Sequence, residues 1–197
     1  MIAKGEKKKF SSKDRKLLDE YIDEHPGEIL NGLMNRDQGF RQRARELAAN
    51  QLSGVDYNAI ADDLLFTLEM IEVEELYESS GATRYGYVEP VERADEMFED
   101  AVDPYAKELE RCLKLSMHKE GMQHCMGILM GLYNFEKKAS TEFQEWIPDT
   151  PREYFDSVLK TWSKTVSDPK ILAEMDEFIA ANCPQWHARK KNRDHKP

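Results

Sequence analysis

The chain contains 197 residues, of which 40% are hydrophobic and 34% are charged. This composition is typical of a folded, globular protein and excludes a disordered chain. The start of the chain has no apolar signal core and no later run is long enough to cross a bilayer, so we expect a cytoplasmic protein that does not associate with membranes.

The charge is distributed unevenly along the chain. Residues 1–16 carry seven Lys and Arg against two Asp and Glu, and residues 188–197 carry five against one, so residues 17–187 carry −19 within a chain of net charge −10. We expect basic, flexible arms at 1–10 and 184–197 and a single domain at 11–183 between them. Alternatively, the arms bind an anionic partner such as nucleic acid, through Lys7, Lys8, Lys9, Arg189, Lys190, Lys191 and Arg193.

The first predicted elements are helices. Ser11 and Asp14 form a capping pair ahead of an apolar face that ends before Pro26. Its apolar positions are Leu17, Leu18, Tyr21 and Ile22. A short turn or helix at 28–35 and a helix around Phe40 follow, with Arg41, Arg43 and Arg45 opposite the apolar side of that helix. A break at 53–56 offers a possible sub-division of the domain, after which Asp56 caps the next helix, whose apolar side carries Ile60, Leu64, Leu68 and Ile71.

Residues 79–90 form the one long loop with unusual chemistry. Two glycines and Pro90 forbid a continuous helix, and the loop follows a short acidic helix at 74–78. Guanidinium, phenol and carboxylate groups are the types that anchor binding surfaces, which makes this loop the candidate docking surface for a partner. The candidate residues are Arg84, Tyr85, Tyr87 and Glu89. The alternative is a structural role, in which the loop ties two helical pairs together.

A long helix is predicted from 91 to 116, followed by a return helix. Pro104 interrupts the apolar spacing without shifting it, so the pattern predicts either one kinked helix or two collinear helices. A turn at 119–121 then leads antiparallel into residues 122–135, which contain no charged side chain. Such a stretch must be surrounded by other helices, and Gly127 and Gly131 on one side would let another backbone approach closely.

Two helices complete the chain. Thr150 as N-cap, Pro151 and Glu153 predict the start of the first, and Asp168-Pro169 starts the second, which stops at Cys183-Pro184. Trp186, next to the basic tail, is the tryptophan we expect to be most exposed. The fold class is therefore all-α: an irregular array of antiparallel helical hairpins, resembling an α–α superhelix or bundle, with about eight or nine helices and no strands.

Three stretches carry a family resemblance: residues 79–90, Gly127-Ile-Leu-Met-Gly-Leu-Tyr133 and Trp146-Ile-Pro-Asp149. They resemble an uncharacterised prokaryotic family of helical proteins, similar to the helical regions that accompany SWIM-type zinc-finger domains, over about residues 55–165. The resemblance implies a helical-repeat module beside a nucleic-acid-associated zinc domain. The closely spaced CxC and CxH ligand pairs of a SWIM zinc finger are absent from this sequence.

No pattern of catalytic or metal-binding residues stands out. The cysteines at 112, 125 and 183 are few and odd in number, which favours reduced thiols. The best metal candidates are His118, Met122, His124 and Cys125, since 118, 122 and 125 could share a helix face if the helix extends back through Gly121. We expect Gly121 to break the helix and Cys125 to pack as a small hydrophobic residue, so we assign no metal and no cofactor. The acidic stripe along 92–103 is interpreted as a solvated helix face. There is no P-loop, GxGxxG or GxSxG motif.

These patterns favour a non-enzymatic, cytoplasmic helical-repeat protein that binds another protein, with the 79–90 loop lining the docking groove. The alternative is an accessory nucleic-acid-associated protein that uses the two basic arms.

Overall fold

The structure is a computed structural model that describes residues 11–84 and 86–188. The described chain divides into two compact units, residues 11–51 and 52–188. This division lies next to the break predicted at 53–56.

The first unit consists of three helices. They are α1 (Ser12–Glu24), α2 (Pro26–Arg36) and α3 (Gln38–Leu52). Single residues, His25 and Asp37, separate consecutive helices, so residues 28–35 lie in a full helix rather than a turn.

The second unit is almost entirely helical. Its elements are α4 (Tyr57–Glu69), α5 (Val73–Ser79), β1 (Gly81–Thr83), β2 (Gly86–Val88), α6 (Pro90–Lys114), α7 (His118–Lys138), a 3-10 helix (Glu142–Trp146), α8 (Thr150–Ser163) and α9 (Pro169–Asn182). Residues 184–188 add one more helical turn. The predicted all-α class is confirmed over the described residues.

The predicted central helix is confirmed as α7. Twelve of its residues are buried, and it contacts α4, α6, α8 and α9. A β-carbon on Gly127 would lie 2.6 Å from the Cβ of Ile60, and one on Gly131 would lie 3.1 Å from the carbonyl oxygen of Ala61. The two glycines thus let α4 approach the backbone of α7 closely, as the spacing predicted.

The connection between α6 and α7 differs from the prediction. The turn lies at 115–117 rather than 119–121, and Gly121 is inside α7. Ser116 takes a left-handed conformation (φ 57°) while the N–H groups of Ser116 and Met117 donate to the carbonyls of Leu113 and Cys112. This pair of bonds is a Schellman motif, which ends α6 without glycine. Upstream, α6 runs unbroken through Pro104, so the two-helix alternative is wrong.

The expectation of no strands is wrong at one place. Residues 81–88 form a small antiparallel hairpin in which Gly81 pairs with Val88 and Thr83 with Gly86. Gly81 and Gly86 have φ angles of 82° and 135°, which other residues rarely adopt, so the glycines that forbid a helix here permit a tight hairpin instead.

Two predictions near the C-terminal end are also wrong. Thr150 is the first residue of α8 rather than its N-cap, and its hydroxyl donates to Asp95 on α6 at 2.6 Å. Trp186 is 1% exposed, since the turn at 184–188 places its ring edge-to-face with Tyr133 and Phe155, at centroid distances of 5.2 and 4.9 Å. The packed body therefore extends beyond Cys183, where the basic tail was expected to begin.

Candidate protein-binding surface

The first unit exposes the apolar sides of its helices. In α1 and in α2, four apolar residues occupy positions i, i+1, i+4 and i+5, which lie on one side of a helix. These positions are Leu17, Leu18, Tyr21 and Ile22 in α1, and Ile29, Leu30, Leu33 and Met34 in α2. Ile29 and Met34 are half-buried, and the other six side chains are exposed. We call these eight residues the N-terminal apolar face.

Local hydrogen bonds define where these helices begin and end. At the start of α1, the Ser11 hydroxyl oxygen accepts from the backbone N–H of Asp14 at 3.2 Å, and the Asp14 carboxylate accepts from the backbone N–H of Ser11 at 2.9 Å. Pro26, which has no N–H to satisfy, stands in the first turn of α2. The helix boundaries are thus set by sequence neighbours.

Arg41 joins α2 to α3. Its guanidinium donates to the carbonyl oxygen of Met34 at 3.0 Å and to the side-chain oxygen of Asn35 at 2.8 Å. The bond to Met34 satisfies one of the carbonyls left open at the end of α2. The arginine that the sequence placed opposite the apolar side of α3 therefore has a capping role.

These local bonds are not accompanied by a core. None of the described residues 11–51 is buried, and Leu17 and Leu47 are 56% and 64% exposed. Helices of 11 to 15 residues are marginal in water, and full burial of one leucine or isoleucine is worth about 1.5–3 kcal/mol. The N-terminal apolar face thus leaves unused most of the hydrophobic stabilisation that its residues could supply.

The charges of this unit are segregated between helices. Helix α1 carries five acidic and three basic side chains, whereas α3 carries three basic and one acidic side chain. Residues 11–51 together hold eight acidic and seven basic side chains, against 28 and 12 in residues 52–188. The first unit is thus nearly neutral, and the second is strongly acidic.

The hairpin at 81–88 holds the site residues predicted from the sequence. Arg84 lies in the turn and Tyr87, 66% exposed, lies on β2, while Glu89 is exposed immediately before α6. Tyr85 is outside the described residues. The hairpin therefore presents Arg84, Tyr87 and Glu89 from one short segment, and its role as a docking surface stays a prediction.

A cleft of about 390 Å³ lies between α8 and α9. Its charged lining is balanced, with Arg152 and Lys160 against Asp156 and Asp176. Arg152 and Asp156 form an ion pair at 3.3 Å, and the Arg152 guanidinium also lies 5.1 Å from the ring centre of Trp186. These contacts give Arg152 a structural role in holding α8 against the turn at 184–188.

The potential nucleophiles and metal ligands among the described residues do not cluster at one site. Cys112, Cys125 and Cys183 are all buried, and burial raises the pKa of each thiol, that of Cys183 to about 12. Burial also lowers the pKa of His124, which favours its neutral form. Within residues 11–84 and 86–188, no group of three or more His, Cys, Asp or Glu side chains could hold a metal ion.

Two further charged features were predicted from the sequence, the acidic stripe on α6 and the two basic arms. Along the acidic stripe of α6, Glu92, Glu96, Glu99 and Asp100 are exposed, and Asp95 binds Thr150. The Lys and Arg residues expected to bind nucleic acid lie outside the described part, so this role stays a prediction for Lys7, Lys8, Lys9, Arg189, Lys190, Lys191 and Arg193.

The N-terminal apolar face was not among the sites predicted from the sequence. Its signal was present in the spacing of Leu17, Leu18, Tyr21 and Ile22, but an apolar stripe looks the same whether it faces a core or solvent.

Among the described residues, no helix is both long and apolar enough to cross a membrane. Comparison of the chain with protein-family models, with curated proteins and with solved structures finds no match.

Proposed function

We propose that this chain is a non-enzymatic protein-binding module and that the N-terminal apolar face is its binding surface. The observation that carries the proposal is the contrast between three well-formed helices, the first with a capping box at Ser11 and Asp14, and a complete lack of buried residues among residues 11–51. Exposed apolar patches of this kind mark interaction sites on soluble proteins.

The chemistry of the face suits a helix-binding mode of recognition. Amphipathic helices bind partners through apolar anchors spaced at about one helical turn. Tyr21 and its neighbours in α1 supply such anchors, and tyrosine is enriched among the residues that dominate binding energy. Burial raises the pKa of Cys112, Cys125 and Cys183, which disfavours these thiols as nucleophiles.

The hairpin at 81–88 supplies a second exposed surface, which belongs to the second unit. Tyr87 and Arg84 would contribute an aromatic anchor and a planar cation to a docked partner. We retain it as a separate candidate surface for a protein partner.

Affinity purification with two matched variants tests the proposal. Leu17→Glu/Ile22→Glu places two charges on the face, where the native side chains are 56% and 43% exposed. Leu115→Glu/Leu172→Glu makes the same change at two leucines of the second unit that are 57% and 37% exposed. Glutamate is a good helix former, so circular dichroism should show unchanged helix content in both variants.

The proposal predicts a bound protein, either another chain or a differently tagged copy, that is retained by wild type and by the second-unit variant. The variant of the N-terminal apolar face should lose it. Equal retention by all three proteins, or no protein retained by wild type, would contradict the proposal.

A further inference from the structure

We infer that the partner covering the N-terminal apolar face is a second copy of this chain, in a two-fold symmetric dimer formed by the first units. This inference rests on the proposed function, because it identifies the occupant of the same surface. Two observations carry it: the helical geometry and the charge pattern.

The geometry offers two short amphipathic helices in succession. Helices α1 and α2 have 13 and 11 residues and only His25 lies between them. A pair of helices of similar length with an apolar side can complete a four-helix arrangement by facing an identical pair. In a two-fold dimer, the same residues would be covered on both copies.

The charge pattern favours a copy of the first unit over other acidic or basic partners. With nine acidic and eleven basic side chains in residues 1–51, two copies of this segment repel each other only weakly. Within each unit, α1 has an acidic excess and α3 a basic excess. An arrangement that sets α1 of one copy beside α3 of the other therefore forms two complementary contacts at once, since the symmetry repeats each of them.

The second unit restricts where copies can meet. Its described residues hold 28 acidic and 12 basic side chains, so two second units repel each other at moderate ionic strength. Association through the first units does not require two second units to meet. Complementary charge on exposed helices contributes mainly to orientation and specificity, and the apolar face supplies most of the affinity.

Sedimentation velocity of the full chain over a series of protein concentrations tests the inference. Wild type should change from a species of 22.9 kDa to one of twice that mass as concentration rises. Leu17→Glu/Ile22→Glu should raise the dimer dissociation constant at least about tenfold, while Leu115→Glu/Leu172→Glu should leave it within about twofold.

A charge exchange tests the pairing of α1 with α3. Glu20→Lys/Glu24→Lys and Arg43→Glu/Arg45→Glu should each raise the dissociation constant severalfold. Their combination should bring it back towards the wild-type value, because the signs of both helices are then reversed. A combined variant whose dissociation constant rises by the product of the two separate increases would overturn this pairing.

The inference and the proposed function can fail separately. A wild-type chain that stays monomeric, yet retains a different protein through the N-terminal apolar face, overturns the second copy and leaves the binding function standing. A monomer that retains nothing overturns both. A dimer that survives Leu17→Glu/Ile22→Glu also overturns the inference.

Discussion

Gly127 of α7 lies against Ile60 of α4 so closely that a β-carbon on the glycine would be 2.6 Å from the Cβ of the isoleucine. The same hypothetical atom would lie 2.9 Å from the backbone oxygen of Tyr57. Because the obstacles include a β-carbon and the backbone, neither can move aside by a rotamer change alone. The contact between α4 and α7 depends on the absence of a side chain at residue 127.

Gly127→Ala should therefore destabilise the second unit, although alanine favours helix by up to about 1 kcal/mol. Overpacking costs about 1–3 kcal/mol, so we expect a net loss of about 1 kcal/mol or more in the free energy of unfolding. Trp146, Trp162 and Trp186 all lie in the second unit, so their fluorescence in a urea titration measures the effect.

The matched control is Gly32→Ala in α2, where a β-carbon would meet no atom within 4 Å. This change should raise helix content or leave it unchanged, without altering the tryptophan transition. A Gly127→Ala protein as stable as wild type would show that α4 and α7 are not in close contact.

Ser116→Gly should stabilise the second unit. Ser116 has a φ of 57°, a conformation that costs a non-glycine residue about 1–2 kcal/mol. Glycine relieves this cost but has a more flexible unfolded state, so the expected gain is about 0.5–1 kcal/mol. Ser116→Ala, which keeps the β-carbon, should show no gain in stability in the same urea titration. Equal effects of glycine and alanine would contradict a left-handed backbone conformation at residue 116.

Trp186→Ala should be strongly destabilising, although the residue stands next to the basic tail. Its ring is 1% exposed and packs against Tyr133 and Phe155. Removing a buried tryptophan typically costs about 3–5 kcal/mol. Thermal unfolding followed by circular dichroism should show the loss, whereas Gln185→Ala, at an exposed position of the same turn, should unfold like wild type. A mild effect of Trp186→Ala would place the ring in solvent.

Acid should weaken the start of α1. Hydrogen bonds from the Ser11 side chain and backbone hold the pKa of Asp14 below its usual value of 3.8. The lowered pKa means that the capping contribution is fully present above the unfolded-state pKa and is lost as pH falls through the folded-state pKa. NMR chemical shifts of residues 12–16 should move towards coil values below about pH 4, and Asp14→Asn should remove this pH dependence. Shifts that stay constant down to pH 2 would contradict a capping role for the carboxylate.

Much of the fold could be predicted because the signals are local. The capping residues Ser11, Asp56 and Asp168 bond the backbone N–H groups expected of them. The uncharged stretch at 122–135 identified the buried helix, since a helix that is apolar on all sides is stable only when other helices surround it. The spacing of Gly127 and Gly131 showed that a backbone approaches there, but only the structure identifies it as that of α4.

The errors arose where a distant contact outweighed a local preference. Thr150 has the sequence context of an N-cap, yet its hydroxyl binds Asp95 on another helix. Trp186 was predicted to be exposed from its charged neighbours, yet a helical turn places it among aromatic rings. The N-terminal apolar face shows the same limit, because a periodic pattern gives the direction of a face and not what covers it.

Hydrogen exchange measured by mass spectrometry on the full chain, at low and high protein concentration, tests most directly whether a second copy covers α1 and α2. We expect the amides of α1 and α2 to exchange rapidly when dilute and to become protected as concentration rises, while α7 stays protected throughout. Protection of α1 and α2 that does not change with concentration would contradict the dimer, whether these helices remain open or are covered within one chain.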